Sequence, residues 1–202
     1  RFSLIYEAPA AYICDIRDGY SEKVDEFITD DKELYDKMKG YLEHYQPEDL
    51  PKLRFYDDKM ISLANLYGLR SKIEEATKPL VWLKSGGSLV IQPTEALTVI
   101  DVNTGKAVSG KKKVQETFLK VNLEAAKEIA KQIRLRNISG IIIIDFIDME
   151  LEKHKELLME TLNSYLKKDP IKTNLVDMTA LGLVEVTRKK VRKPLHEQVK
   201  EG

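Results

Sequence analysis

Two short segments of this 202-residue chain put acids at the ends of apolar runs. In EALTVIDVN (95–103), Asp101 and Asn103 close a mostly aliphatic stretch. In GIIIIDFIDM (140–149), four consecutive isoleucines run into Asp145, and Asp148 follows three residues on. Such runs predict buried strands, and a buried carboxylate is costly unless something pairs with it. Side chains alternate along a strand, so Glu95, Leu97, Val99, Asp101 and Asn103 share one face. In the later segment Ile141, Ile143, Asp145 and Ile147 share a face, with Asp148 on the other. If the two strands are neighbours, Asp101 and Asp145 converge.

Converging carboxylates repel, and one of them takes a raised pKa unless a cation lies between them. Mg²⁺ suits that arrangement, with Mn²⁺ as a substitute, because one or two carboxylates, waters and a substrate phosphate complete its octahedron. The ion would polarise a phosphoryl group or activate a water for in-line attack. Asn103 would orient one carboxylate through its amide. A plainer reading fits the same residues equally well: both acids end strands, capping turns or pairing with arginine. Glu95 lies six strand residues from Asp101, roughly 20 Å at about 3.3 Å each, too far to share one ion. Asp148 is expected to cap the following helix.

Basic residues gather in two places. Lys106, Lys111, Lys112 and Lys113 follow Asn103 in a segment with two glycines, read as a flexible loop. Arg188, Lys189, Lys190, Arg192 and Lys193 follow the last predicted strand. Both are placed near the sheet end that carries the acids, where they would contact phosphates, although a charge run is also what a solvated face looks like. His44, His154 and His196 are scattered without metal-ligand spacing. No GxGxxG, Walker-type, GxSxG or HExxH motif occurs.

Elements that would position these groups follow from periodicity. Before Thr77 the chain reads as small α/β. A short helix is expected over 9–16, a strand over 24–28, and a helix capped by Asp30 or Asp31 through Leu34, Met38 and Leu42. A strand at 53–56 and a helix at 67–76 complete it. Beyond Pro79, strands at 81–83 and 89–91 flank Ser85-Gly86-Gly87, a hairpin turn. A second turn at 92–94 leads into EALTVIDVN. Asn122 is expected to cap a helix with the stripe Ala125, Ala126, Ile129, Ala130 and Ile133. The isoleucine strand, a helix over about 151–168, and strands near 173–178 and 183–187 follow. The fold class is therefore α/β, a mixed α+β arrangement with helices packed on a mixed sheet, divided at 1–77, 78–196 and a 197–202 tail.

Composition sets outer bounds. Lys+Arg and Asp+Glu are equal at 33 each, so net charge names no polyanionic partner. The single cysteine, Cys14, excludes an internal disulfide and any CxxC zinc site in the chain, and favours a cytoplasmic setting. No apolar run is long enough to span a bilayer. The absence of an initial methionine suggests a piece of a longer protein.

Three segments, SGGSLVIQPTEALTVIDVNTGK, NLEAAKEIAKQIRLRNISGIIIIDFIDM and LGLVEVTRKK, resemble in order and spacing the catalytic region of the ribonuclease E/G family. The resemblance is strong over about 79–193 and continuous, if weaker, before it. It implies an endoribonuclease acting on single-stranded RNA and leaving a 5′-phosphate and a 3′-hydroxyl. It implies metal-binding roles for Asp101 and Asp145 and a supporting role for Asn103. Joined to the basic clusters read above, it makes RNA the polyanion that Lys106, Lys111, Lys112, Lys113, Arg188, Lys189 and Lys190 are expected to contact. It also implies a DNase I-like subdomain preceded by part of an RNase H-like one. The family's OB-type RNA-binding domain and 5′-phosphate sensor would precede Arg1, and its zinc-sharing cysteine pair would follow Gly202. Zinc-linked dimerisation and 5′-end sensing therefore do not carry over, and a homo-oligomer is left open for a longer protein. Two other classes stay open on the residues alone: a non-catalytic RNA-binding or assembly module, and a DNA-directed phosphodiesterase.

Overall fold

The computed structural model describes residues 11–18, 24–105 and 111–199. The chain divides into two compact units, residues 1–72 and 73–202.

In the first unit, α1 (Ala11–Asp18) begins two residues later than the periodicity suggests, and β1 is the short Phe27–Thr29. Helix α2 (Lys32–Tyr45) starts where expected: the Asp31 carboxylate accepts from the Leu34 N–H at 2.9 Å. Met38 and Leu42, one turn apart, bury against Ile16 and form a small core. A 3-10 stretch at Pro47–Lys52 leads into β2 (Leu53–Phe55), which pairs parallel with β1. Two helices follow, α3 (Leu63–Leu66) and α4 (Leu69–Thr77), and the division between units falls within α4.

The second unit is built on six strands: β3 (Leu80–Trp82), β4 (Ser88–Pro93), β5 (Leu97–Asn103), β6 (Gly140–Asp145), β7 (Thr173–Met178) and β8 (Leu183–Arg188). Their order is β3-β4-β5-β6-β8-β7, a mixed sheet in which only the β5–β6 pair is parallel. A parallel neighbour needs a crossover, and α5 (Lys111–Leu135) supplies it; α6 (Glu152–Leu166) connects β6 to β7, and the short α7 (Leu195–Gln198) follows β8.

One sheet face carries the core. Leu89, Ile91, Ile100, Val102, Ile142, Ile144, Val184 and Val186 point into it, against Ala125, Ala126, Ile129 and Ile133 of α5 and Leu158, Leu162 and Leu166 of α6. The alternation corrects the expectation of a wholly buried isoleucine strand: Ile142 and Ile144 are fully buried, whereas Ile141 is 50% exposed. Two isoleucines therefore serve the core, and two lie on the opposite, open face with Asp145.

Three local expectations also change. The β4–β5 turn sits at Thr94–Ala96, because Pro93 is accommodated as the last residue of β4; Thr94 N–H and Oγ1 both donate to the Leu97 carbonyl. Asn122 does not cap a helix, since α5 begins at Lys111 and Asn122 is wholly buried within it. Its amide instead brackets the backbone of Ile147, donating to the carbonyl at 2.8 Å and accepting from the N–H at 3.1 Å. Asp148 does not cap α6, whose N-cap position is Leu151 with no side-chain bond.

Candidate acidic site on the open sheet face

Register brings the two predicted acids together. Strands β5 and β6 pair in parallel with Leu97 opposite Ile141 and every later residue in step, so Asp101 and Asp145 are direct Cα partners. Neighbouring strands lie about 4.8 Å apart, and both side chains leave the same face. Asn103, on that face too, donates through Nδ2 to Asp101 Oδ2 at 2.7 Å. This bond holds one carboxylate in a fixed orientation and occupies one of its oxygens.

Among the described residues no cation pairs with Asp101 or Asp145, and neither carboxylate caps a turn. The plainer reading of both acids as caps or arginine partners has no support there. The Asp145 pKa is raised above its ordinary 3.8, by burial first, then by the charges of Asp101 and Asp148. Asp148 thus belongs to the same acidic field. The chain leaves strand geometry after Asp145, so alternation no longer turns Asp148 away, and its Oδ1 lies over the β7–β8 turn, 3.8 Å from where a Cβ on Gly182 would stand. Extrapolating a regular strand past its end was what hid it.

The Ser85-Gly86-Gly87 turn props the same region. A Cβ on Gly87 would come within 2.7 Å of the Asn103 carbonyl, so a glycine is required for the hairpin to approach β5 this closely. Glu124 of α5 anchors the turn, accepting from Lys84 N–H at 2.7 Å and Ser85 N–H at 3.1 Å. Burial acts to raise the Glu124 pKa, but the donors of this turn and the Lys84 charge outweigh it and hold the group below its ordinary value.

The basic residues divide. Lys106 lies outside the described residues. Lys111, Lys112 and Lys113 form the first turn of α5 rather than a loop. That end of α5 is tied to the segment after β6, with Gln115 Oε1 accepting from Glu150 N–H at 3.1 Å, which is the acids' end of the sheet. The second cluster is at the other end. Strand β8 runs antiparallel to β6 with Leu183 opposite Asp145 and Arg188 opposite Gly140, a displacement of roughly 17 Å along the strand. Lys189 and Lys190 are exposed there, far from the acids. Arg188 is not available to a phosphate at all. It is 4% exposed, bridges Asp169 Oδ2 through Nε at 2.8 Å, and donates to Asn137 Oδ1 and the Ile138 carbonyl. The basic run hid a buried structural ion pair.

A cavity of about 580 Å³ also opens at that far end, lined by Pro79, Ile91, Leu97, Arg136 and Lys190 among others. It does not reach Asp101 or Asp145. Among the described residues Asp145 is exposed and Asp101 half-buried, on the sheet face opposite the core. As a donor set, two carboxylates and an amide are hard oxygen ligands. Among the described residues no three His, Cys, Asp or Glu side chains form a metal cage. Hard oxygen donors of this kind suit a cation such as Mg²⁺ or Mn²⁺, which keeps waters and substrate oxygens in its shell.

The site is thus a register-locked pair of acids, one of them bonded by Asn103, on the sheet face opposite the core. Sequence comparison gives that description a family: the pattern of the Ribonuclease E/G family matches residues 1–191, and the chain belongs to that family. Ribonuclease G of Haemophilus influenzae is 40% identical over 193 residues, covering 96% of this chain and 39% of the relative. Ribonuclease G of Escherichia coli K12 is 39% identical over 180 residues, 89% of this chain and 36% of the relative. Ribonuclease E of Synechocystis sp. is 41% identical over 184 residues, 90% of this chain and 27% of the relative. The chain thus spans less than two fifths of the length of these relatives. No helix among the described residues is long and apolar enough to cross a membrane.

Proposed function

We propose that this chain carries the cleavage site of a metal-dependent endoribonuclease acting on single-stranded RNA. The observation that carries the reading is the in-register pairing of Asp101 with Asp145 on an open face, with Asn103 bonded to Asp101. Family membership, and the names of relatives as ribonucleases, support it.

Asp101 and Asp145 would hold one Mg²⁺ or Mn²⁺. When bound, that ion supplies charge neutralisation at the phosphoryl oxygens and activation of a water. The chain's own residues set the geometry. Asn103 keeps Asp101 Oδ2 engaged, leaving its other oxygen for the ion. Asp148 adds negative field next to Asp145, which strengthens attraction for a cation. Lys111, Lys112 and Lys113, with Lys106, would neutralise flanking phosphates, and Lys189 and Lys190 would meet the strand only if it runs the length of the sheet. In the reaction a water oxygen bonds to phosphorus, the bond from phosphorus to the 3′ oxygen breaks, and that oxygen leaves with a proton. The products are a 5′-phosphate and a 3′-hydroxyl.

The test is cleavage of a labelled single-stranded RNA in Mg²⁺ by wild type and Asp101→Asn. The variant, folded by circular dichroism, is expected to lose at least about a hundredfold in rate. Equal cleavage by both would overturn the assignment. RNA binding without cleavage by the wild type would instead favour a binding module, and comparison with single-stranded DNA separates a DNA-directed enzyme.

A further inference from the structure

The open sheet face carries a second feature that the acids do not explain. Trp82, the chain's single tryptophan, is 70% exposed at the end of β3. Tryptophan is strongly buried on average, because exposing its ring to water is costly. Its orientation follows from the ladder. Val81 pairs with Leu89, which is fully buried, so Val81 faces the core; Trp82 pairs with Ser88, and Ser88 pairs with Asn103. Trp82 therefore projects from the same face as Asn103 and Asp101, in the row of Asn103 and two strands across, roughly 10 Å away at about 4.8 Å per strand. Leu80, on the same side of β3, is in the row of Val90, Asp101 and Asp145 and is 42% exposed.

We propose that Trp82 is a nucleobase-binding subsite, a platform on which one unpaired base of the bound strand stacks beside the phosphodiester held at Asp101 and Asp145. The inference rests on the ribonuclease reading above. Three observations select a base as the occupant. The ring is exposed rather than packed, it shares the face of the acids in the register row of Asn103, and the start of α5 lies at the same sheet end. Every base offers a π-face, so such a platform favours single strands without reading sequence. A duplex keeps its bases stacked on one another and cannot use it. The subsite would thus contribute strand-state selectivity that a pair of carboxylates cannot provide.

Because the chain has one tryptophan, its emission reports Trp82 alone. Single-stranded oligoadenylate is titrated in chelator, with binding followed separately by the anisotropy of a 5′-labelled copy. Quenching is expected to saturate in step with anisotropy, and duplex RNA at the same concentrations is expected to leave emission unchanged. Trp82→Ala, exposed enough to leave the thermal melt unaltered, is expected to weaken RNA binding by roughly tenfold or more. In Mg²⁺ its KM should rise by a similar factor, with kcat changing by no more than about twofold, and Trp82→Tyr should restore most of the loss. Unchanged emission while labelled RNA is bound, or Trp82→Ala binding as wild type does, would overturn the subsite. Cleavage unaffected by Trp82→Ala sinks the subsite alone. Quenching by RNA with no cleavage by the wild type sinks the ribonuclease reading and leaves the subsite standing.

Discussion

Asp145 sits in a field of two other carboxylates, and the consequence is measurable before any substrate is added. Its pKa is raised in the folded protein, so the native state holds that proton more tightly than the unfolded chain does. The native state then binds more protons across the interval, and stability falls as pH rises through the folded pKa. Below the ordinary value of 3.8 the penalty is absent; above the folded pKa it is fully expressed. In chelator at pH 7, Asp145→Asn is therefore expected to melt higher than wild type, with the difference vanishing toward low pH. Mg²⁺ should raise the wild-type midpoint and leave the variant unmoved. A variant that melts lower at pH 7, or responds equally to Mg²⁺, would contradict this account. At this scale the sequence was informative about Asp101, Asp145 and Asn103, since strand alternation alone assigns their face. It was uninformative about Arg188, because a guanidinium bound for Asp169 and one bound for solvent look identical in a basic run. Asp148 was missed for another reason: no local signal marks where β6 stops being a strand.

Elements place these residues, and α5 shows how. Its aliphatic stripe is readable by period, yet its start was not, because Asn122 has the chemistry of a cap and sits at the edge of the clearest apolar run. In the fold the same amide is buried and satisfies both polar groups of Ile147, two residues beyond Asp145. That pair of bonds fixes the chain as it leaves β6, and with it the approach of Asp148. Asn122→Ala leaves the part-buried N–H and C=O of Ile147 without partners, and is expected to cost roughly 1–3 kcal/mol in urea unfolding. Cleavage under native conditions should also fall if Asp148 shifts. A loss below about 0.5 kcal/mol would mean that water replaces the amide without penalty. The hairpin carrying Gly87 was legible from its Ser-Gly-Gly sequence, but its closeness to Asn103 was not, since that contact joins residues from two separate turns of the ladder.

At the scale of the second unit, the sheet separates its tasks by face and by end. One face is packed under α5 and α6; the other holds the acids, Trp82 and a scatter of exposed aliphatics. One end holds Asp101, Asp145 and the start of α5; the other holds Lys189, Lys190 and the cavity beside Arg136. Strand order and the opposed direction of β8 could not be read from composition, and that is why both basic clusters seemed to belong to one place. The acids lie on the third and fourth of six strands, on the only parallel pair, with Ile100, Val102, Ile142 and Ile144 sealed beneath them. Such strands open only when the domain opens. Their amides should exchange with deuterium at the rate of global unfolding, slower than those of the β3 and β7 edges, and loss of cleavage in denaturant should coincide with loss of structure. The backbone positions from which the two acids project are therefore written into the hydrogen-bonded ladder itself.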